Sequence, residues 1–317
     1  MELRHATLNR CSLLGNTTEI KSILLIKPME KSPESVSTEK QMEEFERERL
    51  DLLTGIETAE LASKVYEILG AELGCRLAEP NLILLISGMK GHTDIPWVKL
   101  DKERIEKLEQ VNAQLENLGL RIYYPETLEE ESEITSLSIV NFKGIERKSR
   151  MTKIPCVPPY ESILGDEPKE WLKKLTNSLK EAQEAGKIPK EVNVEILAEG
   201  IIFGYPDQAI LDYEKCRREG KIDDDLLDAD ILSSAPETTE YKGAVPEFCY
   251  YPEHKDDHEI IEYITKAREI LGSFYQTDWF KELSQGQEFQ KSRQESMQVE
   301  REGLLKMGFN IEDTDKG

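Results

Sequence analysis

This sequence has few of the features that identify an enzyme class or a cellular address. Its five cysteines include no Cys-x-x-Cys pair, which argues against a disulfide framework and is typical of a reducing compartment. No apolar run approaches the roughly 20 residues of a membrane helix. The best N-terminal run, residues 23–26, is too short for the core of a signal peptide. The sequence therefore predicts a soluble, cytoplasmic protein.

Positive charge is scarce. The chain has 41 lysine and arginine residues against 63 aspartate and glutamate residues, which gives a formal net charge of -22. Because such a surface repels phosphate backbones and anionic lipids, we expect no extended nucleic-acid face and no membrane contact. A confined basic patch can still bind a small anion, since the field inside a cleft is local.

The known phosphate-binding signatures are also absent. The chain has neither a Walker A sequence, Gly-x-x-x-x-Gly-Lys-Ser/Thr, nor a Gly-x-Gly-x-x-Gly sequence. The cofactor, if there is one, therefore stays unknown. The balance of 38% hydrophobic and 33% charged residues is that of a folded chain with a large polar surface.

The most informative stretch is the apolar run at residues 81–87, which ends abruptly in the polar residues 88–94. It has the form of a buried strand that opens into a loop. An amphipathic helix follows from Asp101 to a stop at Gly119, and residues 120–124 are strand-like. Together these elements predict a right-handed βαβ unit.

Two further strands are predicted at 21–27 and 134–142, so the fold class is α/β. We expect an N-terminal mixed or parallel sheet with crossover helices, followed by a mostly helical C-terminal part. Proline at the start and glycine just past the end predict three helices there, at 168–185, 189–203 and 206–218. The predicted divisions are an α/β domain at 1–154, a mostly helical domain or extension at 155–275, and a peripheral helix and tail at 276–317.

The loop at 88–94 is the leading candidate site. Gly88 and Gly91 let backbone amides approach a ligand, Lys90 can clamp an anion, and His92 can move a proton near neutral pH. Asp94 completes this catalytic set. The alternative is a hydrophilic connection in which the glycines allow the chain to turn and Asp94 makes a local backbone hydrogen bond.

A dense basic segment follows the last predicted strand. Lys143, Arg147 and Lys148 are candidate ligand-binding residues, since a basic loop can take a phosphate or carboxylate. The alternative is charge pairing with the glutamate-rich residues 126–133, because most surface charges are solvated or weakly paired.

Cys249, His254 and His258 lie close together in the sequence and are candidate metal ligands. On one helix, the His-x-x-x-His spacing places both imidazoles on the same face, where they can bind zinc or iron. However, Pro252 and a helix N-cap at Asp256 or Asp257 place His254 ahead of the helix, which argues against that geometry.

Three functions remain open. The leading hypothesis is an α/β protein that binds or transforms a small anionic metabolite at residues 88–94. The first alternative is an interaction or scaffold protein that uses its C-terminal helices, where Trp279, Phe280 and Phe289 are expected to be exposed. The second is a metal-binding protein through residues 249–259. The sequence does not decide whether the chain is an enzyme, nor its substrate, reaction or oligomeric state.

Overall fold

A computed structural model describes residues 52–124, 132–155, 157–158, 168–221, 226–229 and 248–306. The strand predicted at 21–27 lies outside the described residues. Within them the chain is mostly helical, with ten α-helices and five strands. The helices are α1 (Gly55–Gly74), α2 (Pro80–Ile86), α3 (Lys102–Leu115), α4 (Phe142–Met151), α5 (Pro168–Glu184), α6 (Val194–Phe203), α7 (Asp207–Arg218), α8 (His258–Gln276), α9 (Asp278–Gln285) and α10 (Gln287–Lys306). The strands are β1 (His92–Asp101), β2 (Leu120–Tyr123), β3 (Ser132–Asn141), β4 (Leu227–Asp228) and β5 (Cys249–Tyr250).

The chain divides into two compact units. Of the described residues, unit 1 contains Leu52, those within 147–229, and 248–263, whereas unit 2 contains 53–146 and 264–306. The boundaries fall inside α4 and α8, so each of these helices belongs partly to both units. The division into three segments stays a prediction. Every described helix is too short or too polar to cross a lipid bilayer.

The main sheet is antiparallel and lies in unit 2, in the order β1-β3-β2. Both β1 and β2 pair antiparallel with β3, so they run in the same direction with β3 between them and α3 as their connection. A strand, a helix and a strand do follow one another at β1, α3 and β2, but the first strand is not the predicted one at 82–87. The expected parallel sheet is not found among the described strands, because β3 occupies the position between the two.

The apolar run that predicted the first strand forms helix α2 instead. Pro80 stands at its first turn, where a missing N–H costs nothing, and residues 82–86 are all at most 2% exposed. A segment buried on every side has no polar face, so its hydrophobic pattern does not distinguish a strand from a short helix. The strand begins ten residues later than predicted, at His92.

The ends of α3 agree with the sequence signals, whereas the start of α6 and the end of α8 do not. The Asp101 carboxylate accepts a hydrogen bond from the Arg104 backbone N–H and caps α3, and Gly119 ends the turn after it with a left-handed φ of 77°. Helix α6 begins at Val194 rather than Pro189, because Asn193 caps it. The sequence predicts a helix over 257–271 that ends at Gly272, yet α8 continues through this glycine to Gln276.

Helix α10 is fixed by few buried residues. Over its 20 residues only Phe289 and Gly303 are buried. Gly303 lies directly under Trp97, so closely that a Cβ atom there would be 2.0 Å from the Trp97 Cε3 atom. Trp97 itself stands at a bulge in β1 with a φ of 60°, a conformation that costs a bulky residue about 1–3 kcal/mol. The bulge in β1 thus brings the indole of Trp97 into close contact with α10.

Candidate functional site

The loop predicted as a ligand site is shorter and more buried than expected. Since β1 begins at His92, the connection from α2 spans only residues 87–91. Lys90 is 2% exposed, and its ammonium donates to the Asn81 side-chain oxygen at 3.0 Å. The Gly91 carbonyl accepts from the Asn141 N–H at 2.9 Å, and a Cβ on Gly144 would be 2.1 Å from the Lys90 carbonyl oxygen. This packing keeps the Lys90 ammonium from solvent.

His92 and Asp94 lie on the same side of β1. The His92 Nε2 atom is 3.6 Å from an Asp94 carboxylate oxygen, and Ser138 donates to that same oxygen at 2.7 Å. The His92 side chain is only 11% exposed. Burial lowers the pKa of His92 below its usual value, and the Asp94 carboxylate partly opposes that shift. The imidazole is therefore neutral at neutral pH and lies inside unit 2.

The lowered pKa makes stability depend on His92 in mild acid. In the unfolded chain His92 binds a proton near the ordinary histidine pKa of 6.5, whereas in the folded chain it binds one only at a lower pH. The free energy of unfolding is thus expected to fall as the pH drops from 6.5 through the folded pKa. Urea titrations at pH 7.5 and 5.5 should show a smaller loss for His92→Gln than for the wild type. A matched change at His258, which is 94% exposed, should leave the loss unchanged.

The basic segment forms helix α4 and its lysines have different surroundings. Lys143 is exposed and belongs to unit 2, while Arg147 is half-buried and belongs to unit 1. Lys148, also in unit 1, is buried, and its ammonium lies 2.7 Å from the Asp207 carboxylate. Lys148 is therefore already neutralised by a carboxylate of its own unit.

The three candidate metal ligands do not converge. His254 lies on a 3-10 turn ahead of α8, as Pro252 predicted, while His258 opens α8 and its side chain is 94% exposed. Cys249 is on the short strand β5. Among the described residues, no group of three or more histidine, cysteine, aspartate or glutamate side chains is arranged to hold a metal.

The aromatic residues proposed as partner anchors are mostly internal. Phe280 is 8% exposed and Phe289 is 2% exposed, so the expectation that they lie on the surface is wrong. Trp279 is half-buried, and its ring centroid lies 6.0 Å from that of Phe274. These side chains join the C-terminal helices to the core of unit 2.

The arrangement with the clearest chemical meaning is a histidine held by a buried carboxylate in unit 1. The His254 Nδ1 atom lies 2.7 Å from Asp212 Oδ2 and 2.9 Å from Oδ1. The Asp212 side chain is 3% exposed, and the His254 side chain is 34% exposed. We call this pair the His254–Asp212 dyad. It combines a buried acceptor with an imidazole that reaches solvent.

Local structure holds each member of the dyad in place. Asp212 projects from α7, where Gln208, one turn earlier, donates its side-chain amide to Asp212 Oδ1 at 2.8 Å. The backbone N–H of Tyr251 donates to Asp212 Oδ2 at 2.9 Å. Tyr251 precedes the 3-10 turn Pro252–His254, and its carbonyl accepts from the His254 N–H at 2.9 Å. The turn and the carboxylate together fix the imidazole.

The hydrogen bonds determine which ring nitrogen carries the proton. The Asp212 carboxylate accepts, so Nδ1 is the donor to it, and a ring with one proton keeps the lone pair of Nε2. The Gln208 amide nitrogen, 3.2 Å from Nδ1, then donates to Asp212 Oδ1 rather than to the ring. Within the described part of the chain, His254 makes its hydrogen bonds through Nδ1 alone. The His254 side chain is 34% exposed, and the buried Asp212 carboxylate stabilises the imidazolium that forms when Nε2 takes a proton.

Sequence reasoning selected His254 but not Asp212 or Gln208. The two members of the dyad are 42 residues apart, so no local motif contains both. One signal was available: Ala209, Tyr213 and Cys216 form the apolar stripe of α7, and Asp212 falls among them. A carboxylate on the apolar face of a helix is costly to bury unless other groups donate hydrogen bonds to it. Its presence there therefore indicates a hydrogen-bonded site.

Comparison of the chain with protein-family models, with curated protein sequences and with solved structures gives no match.

Proposed function

We propose that the protein is an acid–base enzyme in which His254 Nε2 is the general base and Asp212 is its positioning residue. The single observation that carries this proposal is the imidazole held through Nδ1 by a carboxylate that is 3% exposed. A base oriented by a third group is the arrangement that acid–base and nucleophilic enzymes use on unrelated folds.

The reaction class we favour is hydrolysis by an activated water. The described residues offer no hydroxyl or thiol hydrogen-bonded to Nε2, so the proton that it takes comes from water or from the substrate. In hydrolysis, Nε2 takes one proton of water while the oxygen bonds to the electrophilic carbon or phosphorus. The imidazolium then returns the proton to the leaving oxygen, and the products are an acid and an alcohol.

Catalysis is tested with p-nitrophenyl acetate and p-nitrophenyl phosphate as generic substrates. General-base catalysis contributes about 10²–10⁴-fold, so His254→Gln should lower the turnover number by that factor for at least one substrate. Asp212→Asn should also lower it, because the asparagine amide can donate to Nδ1 and favour the wrong tautomer.

The matched control is His258→Gln, since that ring is 94% exposed and its Nδ1 atom lies 3.7 Å from a Glu262 carboxylate oxygen on the same helix. This variant should keep the wild-type rate, which would show that exposed imidazoles do not cause the measured hydrolysis. Circular dichroism and thermal unfolding would establish that the variants are folded. Equal rates in the wild type and His254→Gln for both substrates would contradict the proposal.

A further inference from the structure

Two cysteine thiols lie in the apolar cluster that supports the dyad. Cys216, on α7, is 0% exposed and packs with Leu226 and Tyr251 in unit 1. Cys249, on β5, is half-buried and packs against the same cluster. Both are thiols in the structure. The tertiary structure thus brings together two cysteines that are separated by residues 217–248 in the sequence.

The hydrogen bonds around the dyad show that α7 and the chain that leads from β5 to His254 run in opposite directions. The Gln208 amide nitrogen lies 3.2 Å from His254 Nδ1. One helical turn later, the Asp212 carboxylate accepts from the Tyr251 N–H at 2.9 Å. Each turn forward along α7 is therefore matched by a step back toward β5. The next turn of α7 carries Cys216.

The same register places Cys249 beside Cys216. Four helical residues advance by about 6 Å, and two extended residues by about 6.6 Å. Tyr251 is extended, with a φ of -67° and a ψ of 145°, so Cys249, two positions earlier, directs its side chain to the same face as Tyr251. Because the Tyr251 side chain packs in one cluster with Cys216, that face is the one turned toward α7.

The spacing of the two backbones suits a disulfide. Disulfides join Cα atoms that are about 4.4–6.8 Å apart. At the neighbouring turn, only the Asp212 side chain and one hydrogen bond of 2.9 Å separate α7 from the Tyr251 backbone. Two cysteine side chains can bridge a gap of that size. The Cys216 S–H donates to the Lys221 carbonyl at 3.8 Å, a weak contact that the S–S bond would replace.

We infer that Cys216 and Cys249 form a reversible disulfide that fastens β5 to α7 and so stabilises the His254–Asp212 dyad under oxidising conditions. The half-buried Cys249 thiol reacts first, and hydrogen peroxide converts it to a sulfenic acid with release of one water. The Cys216 sulfur then attacks the Cys249 sulfur, and its proton leaves with the displaced hydroxide as a second water. The two thiols lose two electrons in total, and peroxide is reduced to water.

The bond has consequences for stability and for the dyad. Closing residues 217–248 into a loop lowers the conformational entropy of the unfolded chain, so the oxidised protein should unfold at a higher urea concentration. Because the cross-link holds α7 and β5 in the register of the dyad, hydrolysis should persist at urea concentrations that inactivate the reduced protein. This last expectation rests on the proposed function, whereas the bond and the stability do not.

The test oxidises the full chain with hydrogen peroxide, removes the excess with catalase, alkylates the remaining thiols in denaturant and maps the cysteine peptides by mass spectrometry. A second sample is treated with diamide, which joins neighbouring thiols. We expect a cross-link between the Cys216 and Cys249 peptides that dithiothreitol reverses, and a higher urea midpoint. Cys249→Ser should lose both. Cys75, which is 2% exposed in unit 2, should be recovered alkylated.

Absence of this cross-link in both samples would overturn the inference. So would a bond from either thiol to another cysteine, or a cross-linked protein whose urea midpoint is unchanged or lower. Hydrolysis separates the inference from the proposed function. If the reduced protein hydrolyses neither test substrate, the proposed function fails while the mapped bond stands. If it does hydrolyse one, and the cross-linked protein loses activity at the same urea concentration, the stabilisation of the dyad is contradicted.

Discussion

Replacing Lys148 with methionine is expected to lower the free energy of unfolding by about 3–5 kcal/mol, the usual effect of leaving one buried charge unpaired. Lys148 and Asp207 have side chains that are 9% and 8% exposed, and their charged groups are 2.7 Å apart. The Asp207 carboxylate also accepts from the Thr152 hydroxyl at 2.8 Å and from the Lys153 N–H at 2.5 Å. Those two contacts hold the carboxylate inside, so it cannot easily turn out to water when the ammonium is lost.

The double variant Lys148→Met with Asp207→Asn separates charge from packing. It removes both charges, so urea unfolding should show it to be more stable than Lys148→Met alone. Lys180→Met is the matched control, because that lysine is 50% exposed and its pair with Glu195 is worth little. A Lys148→Met protein as stable as Lys180→Met would contradict the role given to this ion pair.

Replacing Gly303 with alanine is expected to destabilise unit 2 by about 1–3 kcal/mol, the usual cost of overpacking. The added Cβ would lie 2.0 Å from Trp97 Cε3 and 2.5 Å from Cζ3, so the indole or the helix must move. Because α10 has only Phe289 as its other buried residue, we expect the helix to loosen. Hydrogen exchange followed by mass spectrometry should show that Gly303→Ala, relative to the wild type, speeds exchange more in α10 than in α3.

Gly272 provides the control for that change. It also lies inside a helix of unit 2, yet a Cβ there would meet nothing within 4 Å. Gly272→Ala should therefore stabilise the protein by about 0.5–1 kcal/mol through helix propensity alone. If Gly303→Ala behaves like Gly272→Ala, the contact between Trp97 and Gly303 does not constrain α10.

Helix boundaries were predictable where single residues determine backbone geometry. Asp101 caps α3, Gly119 ends the turn that follows it, and Gly204 and Gly220 stand just past α6 and α7 with positive φ values. Each signal acts over three or four residues and needs no tertiary contact. Where such a residue is present, the sequence alone can predict the helix end, although Pro189 and Gly272 show that the same residue types do not always mark one.

The sheet and the packing of residues 82–92 were not predictable in the same way. Residues 82–86 are apolar because α2 is buried all round, and the same composition suits a buried strand. The place of β3 between β1 and β2 depends on pairings between residues far apart in the sequence, such as Ser138 and Asp94, which are 44 residues apart. Lys90 and His92 were chosen as polar loop residues, yet tertiary packing buries both.

The candidate site shows the same limit. The sequence predicts His254 as a metal ligand, because Cys249 and His258 lie near it in the chain. Its partner in the structure is Asp212, a residue on another element that forms its bonds only once α7 and the 3-10 turn meet. A local motif could not reveal a pair that the tertiary structure creates.

The most direct test of the central claim is a long-range ¹H–¹⁵N NMR spectrum of the histidine rings at neutral pH, with His254 assigned from the spectrum of His254→Gln. The account predicts that the His254 ring, whenever it carries a single proton, carries it at Nδ1, and that Asp212→Asn loses this tautomer. A ring protonated at Nε2, or a tautomer unchanged in Asp212→Asn, would contradict the account.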